Sequence, residues 1–364
     1  RYIKRRIPDE MDSDQTIQQY IMVKGLLNKI DYAASSGINV EIENKNLYDK
    51  TLFYLYDIGA SPNTLQKYMI DHQEQNNIIR ASTGIGKTEA ALLWIGNNKG
   101  FFTLPLKVSI NAIYDRVIDK IKFDKDAVGL LHSETSSEYL KRNNSELDLD
   151  YFNRTKQLSL PLTICTLDQL VDFIFMYEGY ELKLATLAYS KLVIDEIQMY
   201  SPEMVAFLIV ALKYIIDMGG KFSIVTATLP PIFIYFIQNQ GIQFNMPQPF
   251  YKEVNGTVQL RHRAKILEEE INIEHIKNNY QNKKVLVIVN TVKKAQELYE
   301  QLTEEIKNAT PINLLHSRFI NKDRTVKEKA IMELGQLDNK DTGIWITTQI
   351  VEASLDIDFD VLYT

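Results

Sequence analysis

Eight residues from Ala81 to Thr88 read Ala-Ser-Thr-Gly-Ile-Gly-Lys-Thr, directly after the run Ile78-Ile79 and directly before the helical run Glu89 to Trp94. Strand, glycine loop and helix in that order make an anion cradle. Gly84 and Gly86 let the backbone curl until successive N–H groups face one point, and the following helix adds the positive end of its dipole. With Thr83, Ile85 and Glu89 around them, the glycines form a phosphate-binding loop. Lys87 then reaches the β- and γ-phosphates of a nucleotide and the Thr88 hydroxyl binds Mg²⁺. ATP with Mg²⁺ is the cofactor this loop implies. The usual pattern opens on glycine, and Ala81 stands there instead.

A second constellation lies at the end of another apolar run, Lys191 to Ile194, which closes on Asp195-Glu196. A buried, unpaired carboxylate is heavily penalised, so two acids at the end of such a strand have a task. Asp195 suits Mg²⁺ by way of coordinated water, and Glu196 suits orienting and deprotonating an attacking water. An acidic loop at a strand end is the plainer alternative, and the phosphate loop upstream argues against it.

The elements that must position these residues are legible as runs. From Ile78 onward, short β-branched or aromatic runs alternate with longer amphipathic stretches: 77–79, 100–103, 162–165, 191–194 and 222–226. That alternation predicts βαβ units around a parallel sheet. A second series follows at 285–289, 312–315 and 344–346, and between the two Gln238 to Glu253 is rich in Gln, Asn, Pro and Gly without sustained periodicity, as a linker would be. Residues Gln15 to Ser35 have helical spacing and carry no phosphate or metal motif. No internal repeat and no low-complexity tract stands out, although the two series have the character of related folds.

Composition sets outer bounds. The 364 residues are 45% hydrophobic and 24% charged, with room for two domains. Lys+Arg 41 against Asp+Glu 47 gives a net charge of -6, so any nucleic-acid site is local rather than a product of bulk field. The single Cys165 sits in an apolar run and reads as core, which fits a reducing cytoplasm. The basic start, Arg1 to Arg6, leads into the acidic run Asp9 to Asp14 rather than an export signal, and Met204 to Ile216 is too short to span a bilayer.

Asp195-Glu196-Ile197-Gln198-Met199-Tyr200-Ser201-Pro202, an apolar helix, then Val225-Thr226-Ala227-Thr228-Leu229-Pro230 resemble motifs II and III of superfamily 2 helicases, and in particular the CRISPR-associated type I helicase-nuclease family. Other pieces occur in that family's order: Thr103 to Lys107, Thr166 to Leu170, Val289 to Val292, Leu315 to Phe319 and Thr348 to Asp358. The resemblance covers about Leu65 to Thr364. It implies two tandem RecA-like domains with mainly parallel sheets, 61–240 carrying ATP and 263–364 incomplete at its C-terminus, joined by a linker at 241–262. They are preceded by 1–60, a helical segment similar to the tail of an HD nuclease domain plus a linker. The expected activity is an ATP-dependent DNA helicase moving 3′ to 5′ on single-stranded DNA to unwind target DNA opened by an RNA-guided surveillance complex. The nuclease would be in cis or a separate chain, and no membrane is involved. An RNA or repair helicase of the same superfamily, or a nucleotide-binding fragment without turnover, are the alternatives.

By position in these motifs, Gln66 corresponds to the adenine-reading glutamine, whose amide can pair with adenine's donor and acceptor edge. A surface glutamine in a helix is the alternative. Gln198 stands where His is frequent, and with Thr226 and Thr228 it matches the residues that couple hydrolysis to domain movement. Asp356 matches the acid that approaches ATP from the second domain. Lys107, Ser109, Thr166, Asn290, Thr291, Ser317, Arg318 and Thr348 match DNA-contact positions. The motif VI arginines are expected beyond Thr364, so the chain as given is expected to hydrolyse ATP very slowly. The five histidines include no His-Asp pair, so nuclease chemistry is not expected within it.

Overall fold

The computed structural model describes residues 14–142, 148–254, 257–258, 263–306, 310–336, 338–349 and 357–364. Two compact units divide between Gln259 and Leu260. In the first, β1 (Asn77–Arg80), β2 (Gly100–Thr103), β3 (Val128–Leu131), β4 (Leu162–Cys165), β5 (Lys191–Asp195) and β6 (Lys221–Thr226) form one parallel sheet in the order β1-β6-β5-β2-β4-β3. A two-stranded antiparallel ribbon, β7 (Glu253–Val254) and β8 (Thr257–Val258), follows. In the second unit β9 (Lys284–Ile288), β10 (Ile312–Leu315), β11 (Gly343–Thr347) and β12 (Val361–Tyr363) form a parallel sheet ordered β10-β11-β9-β12.

Alternation along each strand divides the first core in two, because successive side chains leave opposite faces of a sheet. Ile79, Phe102, Leu130, Ile164 and Val193 pack on one face, and Ile78, Phe101, Leu131, Cys165 and Leu192 on the other. Burial on both faces explains why these strands read as continuous apolar runs. Each fully buried phenylalanine contributes roughly 1.5–3 kcal/mol relative to exposure. Cys165 is wholly buried, and burial holds its thiol far above the usual range.

Four helices frame the functional region: α1 (Asp14–Ser36), α2 (Leu47–Asp57), α3 (Thr64–Asp71) and α4 (Lys87–Ile95). The segment before the phosphate loop is integral to the first unit. Ile21 of α1 belongs to one core face, and Leu47 of α2 to the other. At Gly25, α1 lies so close to the helix Tyr180–Leu187 that a Cβ would come within 2.3 Å of the Glu181 carbonyl oxygen. Residues within the expected linker are also paired. Asn245 and Phe250 bridge Asn77 and Ala81 in parallel, covering the outer edge of β1. No described helix is long and apolar enough to cross a membrane.

Candidate active site

Three adjacent strands, β1, β6 and β5, end at the same border of the first sheet. The phosphate loop follows β1, Thr226 ends β6 and Asp195 ends β5. In open parallel sheets a crevice at the carboxyl ends is the usual place for a ligand. Gly84 and Gly86 have φ +74° and +91°, the left-handed region that the loop requires. A Cβ on Gly86 would lie 2.6 Å from Gln66 Nε2, and with its positive φ any other residue there would be strained.

Gln66 is only 3% exposed, which overturns the surface-glutamine alternative. Its Oε1 accepts the Asn63 backbone N–H at 3.0 Å while Asn63 Oδ1 accepts the Gln66 N–H at 3.0 Å, a reciprocal cap on α3. Asn63 Nδ2 then donates to the Ile85 carbonyl at 2.7 Å. The cap and the phosphate loop are one hydrogen-bonded piece.

Lys87 Nζ lies 2.9 Å from Glu196 Oε1, and the other Glu196 oxygen accepts from Gln198 Nε2. Thr226 Oγ1 is 2.6 Å from Gln198 Oε1 and 2.7 Å from the Thr228 carbonyl oxygen. A hydroxyl carries one proton, so Thr226 serves one of these acceptors at a time. The network runs from the loop lysine to the end of β6 without a gap. Glu196 itself sits at φ +50°, ψ +48°, a conformation that costs a non-glycine residue about 1–3 kcal/mol. This bend turns the chain out of β5 and brings the carboxylate to Lys87.

Asp195 is 7% exposed, and burial pushes its carboxyl up to about 7, against the pull of Lys87 and helped by Glu196. An acid so destabilised as an anion is suited to a cation. Thr88 beside the loop is equally buried. No group of three or more His, Cys, Asp or Glu side chains forms a metal site among the described residues. The donor set fits Mg²⁺, which keeps waters and phosphate oxygens in its shell and takes few protein ligands. Glu89 is buried with its carboxylate 2.5 Å from Arg116, tying α4 to the helical stretch after β2.

Comparison with known proteins follows the same residues. A family model for DEAD/DEAH box helicases matches residues 63–233, and one for the C-terminal part of the CRISPR-associated nuclease/helicase Cas3 matches 281–364. A CRISPR-associated nuclease/helicase Cas3 of Methanothermobacter thermautotrophicus is 31% identical over 98% of this chain and 44% of its own length. The chain belongs to the CRISPR-associated nuclease/helicase family. It spans less than half the length of that Cas3, and 50% of a putative Cas3 of Methanocaldococcus jannaschii, which is 28% identical over 93% of the chain. In fold it is similar to T. fusca Cas3-ATP, with TM-score 0.70 and 20% identity over 92% of this chain and 45% of that one. The chain thus has the α/β architecture of a Cas3 helicase core.

The contact residues expected from the family motifs divide by unit. In the first, Lys107 opens the helix Lys107–Asp115 after β2, Ser109 lies in its first turn, and Thr166 follows β4. In the second, Ser317 and Arg318 are exposed after β10, and Thr348 is buried after β11. Thr291 caps the helix Val292–Glu305 through Lys294 N–H at 3.2 Å, and Asn290 Oδ1 accepts from Gln349 at 2.8 Å. All lie at carboxyl ends of strands. Asp356 falls outside the described residues.

Reading the sequence missed two features. Lys252 N–H donates to Ser82 Oγ at 3.0 Å and Ser82 N–H to the Phe250 carbonyl, so the expected linker braces the phosphate loop. The other is a repeat: Leu130-Leu131-His132-Ser133 across the end of β3 and Leu314-Leu315-His316-Ser317 across the end of β10. Four identical letters were the available signal.

Proposed function

We propose that this chain is an ATP-driven motor that moves 3′ to 5′ along single-stranded DNA and unwinds target DNA in type I CRISPR interference. The observation that carries this reading is the Lys87–Glu196 pair at 2.9 Å. It joins the cation that a nucleotide's phosphates need to the carboxylate that takes a proton from water. Lys87 has one ammonium, so a bound γ-phosphate competes with Glu196 for it. Glu196 released from Lys87 is free to orient water, and Gln198 holds its other oxygen in place. Bound Mg²⁺, held by Thr88 and by Asp195 through water, would neutralise charge on the phosphates. Thr226, able to serve either Gln198 or Thr228, is the first element that registers where Glu196 points.

The ATP-binding domain is 61–240, and the second RecA-like domain is 263–364 after a linker at 241–262. Residues 1–60 are the tail of a nuclease domain plus linker, with that nuclease and an RNA-guided surveillance complex as partners in the cytoplasm. Lys107, Ser109, Thr166, Asn290, Thr291, Ser317, Arg318 and Thr348 serve the DNA backbone, which needs no base readout.

The test is titration of a fluorescent ATP analogue with Mg²⁺. Lys87→Ala is expected to weaken binding by at least about tenfold, because backbone amides alone leave phosphate charge uncompensated. Unchanged affinity would remove the nucleotide site. Unwinding of DNA and RNA duplexes bearing 3′ or 5′ overhangs then checks polarity and substrate, and a preference for RNA or for 5′ overhangs would overturn them.

A further inference from the structure

Four adjacent strands of the first sheet repeat the four of the second. Starting from the edge, β3-β4-β2-β5 has the order of β10-β11-β9-β12. The register agrees: Leu131 pairs with Cys165 as Leu315 pairs with Thr347. Past the strand ends the same hydrogen bonds recur. Thr166 N–H donates to the Leu131 carbonyl at 3.1 Å, and Thr348 N–H to the Leu315 carbonyl at 3.3 Å. Leu104 N–H donates to Cys165 and Val289 N–H to Thr347. After the shared Leu-Leu-His-Ser, Thr135 N–H reaches back to the His132 carbonyl as Phe319 N–H does to that of His316.

Within this frame both histidines are buried, 4% and 5% exposed, and each keeps one ring nitrogen without a hydrogen-bond partner, Nε2 in His132 and Nδ1 in His316. His132 Nδ1 accepts the Glu134 N–H at 3.1 Å, which shapes the loop and leaves the ring proton on the orphaned Nε2. Thr166 Oγ1, at the neighbouring strand end, is a second buried orphan. Ser133 and Ser317 are both exposed at the tips.

The charges differ between the copies. The second unit has Val292 at the head of the helix after β9 and Arg318 in the loop; the first has Lys107 at the equivalent helix position and Glu134 in the loop. Lys107 Nζ and Glu134 Oε1 are 2.7 Å apart and both side chains are largely solvated.

We propose that His132-Ser133-Glu134 is the first unit's phosphate-contacting loop, the counterpart of His316-Ser317-Arg318, and that Glu134 occupies Lys107 as an internal stand-in for a nucleic-acid phosphate. The proposal rests on the reading of the chain as a motor on a nucleic-acid strand. Its physical content is competition. An exposed ion pair is weak, so a backbone phosphate can displace Glu134, yet it must do so before Lys107 contributes to binding. The first unit therefore holds the strand less firmly than its lysine alone allows, and the second has no such competitor for Arg318 among the described residues.

The experiment is equilibrium binding of a fluorescein-labelled oligo-dT strand at two salt concentrations, without nucleotide. Glu134→Gln is expected to tighten binding by about 2- to 5-fold at low salt, as one freed cation should. Glu134→Arg, which gives this loop the charge of the second, is expected to tighten it by about tenfold and to steepen the salt dependence by about one phosphate contact. Lys107→Ala in the Glu134→Gln background is expected to abolish the gain. ATP-analogue affinity, unchanged throughout, reports an intact first unit. If both Glu134 variants bind like wild type while Lys107→Ala weakens binding, the proposal is overturned and the motor reading stands. A Glu134→Gln gain that survives Lys107→Ala overturns it equally, since the effect is then net charge alone. If the wild-type chain binds no single strand at either salt, the motor reading itself fails.

Discussion

The two ends of the first sheet carry similar ions to opposite effect. At the amino ends of β2, β5 and β6, lysines are locked by carboxylates from segments before the phosphate loop. Glu41 takes Lys29 and Lys99, while Glu74 takes Lys191 and Lys221. Lys29 is wholly buried and also reaches the Leu158 carbonyl, Thr186 and Tyr189. At the carboxyl ends, Lys87 has one carboxylate partner, and that partner is 30% exposed. Glu41 joins two lysines and Lys29 is wholly buried, so breaking that cluster strands a charge, whereas Glu74 holds its lysines from an exposed position. The carboxyl-end pair is a single lysine with a single carboxylate, and Glu196 has Gln198 as another partner to turn to. Ion pairs hold the scaffold where they are oversatisfied and can switch where they are not.

The largest effect that would sharpen this contrast is on turnover. Glu196→Gln keeps the shape of the network but removes the base, so ATP hydrolysis by the whole protein is expected to fall by about 10² to 10⁴ with binding retained. Steady-state phosphate release beside nucleotide titration measures it, and near wild-type turnover would break the assignment. The next concerns the scaffold. Lys29→Ala leaves Glu41 facing one cation fewer and empties a buried site, so urea unfolding of the first unit is expected to lose about 3–5 kcal/mol. A loss below about 1 kcal/mol, the scale of a surface pair, would show that the amino-end cluster is no tighter than the carboxyl-end one.

The smallest effect is a slope. Burial, with Lys29 nearby, pushes the Lys99 ammonium down to about 8, whereas an unfolded lysine titrates near its ordinary 10.5. Between those values the unfolded chain binds more protons than the folded one, so stability from this group rises with pH. Wild type is therefore expected to gain on Lys99→Met as pH goes from 8 towards 10. Unfolding midpoints of both proteins across that range check it, and a falling difference would reverse the sign and the argument.

Legibility followed the range of the interactions. The phosphate loop could be read because its backbone geometry needs particular residues in succession, and strand, glycines, Lys87 and Thr88 are contiguous. Asp195-Glu196 were readable for the same reason, as acids closing an apolar run. Gln66 was ambiguous, because one amide in a short helix looks alike buried or exposed until Asn63 and Ile85 are seen around it. How the linker packs was not legible: Asn245 and Phe250 gain their order from β1, far earlier in the chain. The Leu-Leu-His-Ser repeat was visible as letters but carried no weight until both copies stood at edge strands with matching registers.

By itself the sequence determined the parallel α/β class and the family, and it supplied the residues on which the proposed nucleotide chemistry rests, since each depends on local spacing or on motifs kept in order. Tertiary structure alone decided which carboxylate each lysine faces. Lys29 meets Leu158, Thr186 and Tyr189, and Lys87 meets Glu196, across long stretches of chain. Charges attract without regard to sequence distance, and only the packing of the sheet and its helices determines which of many carboxylates lies within reach.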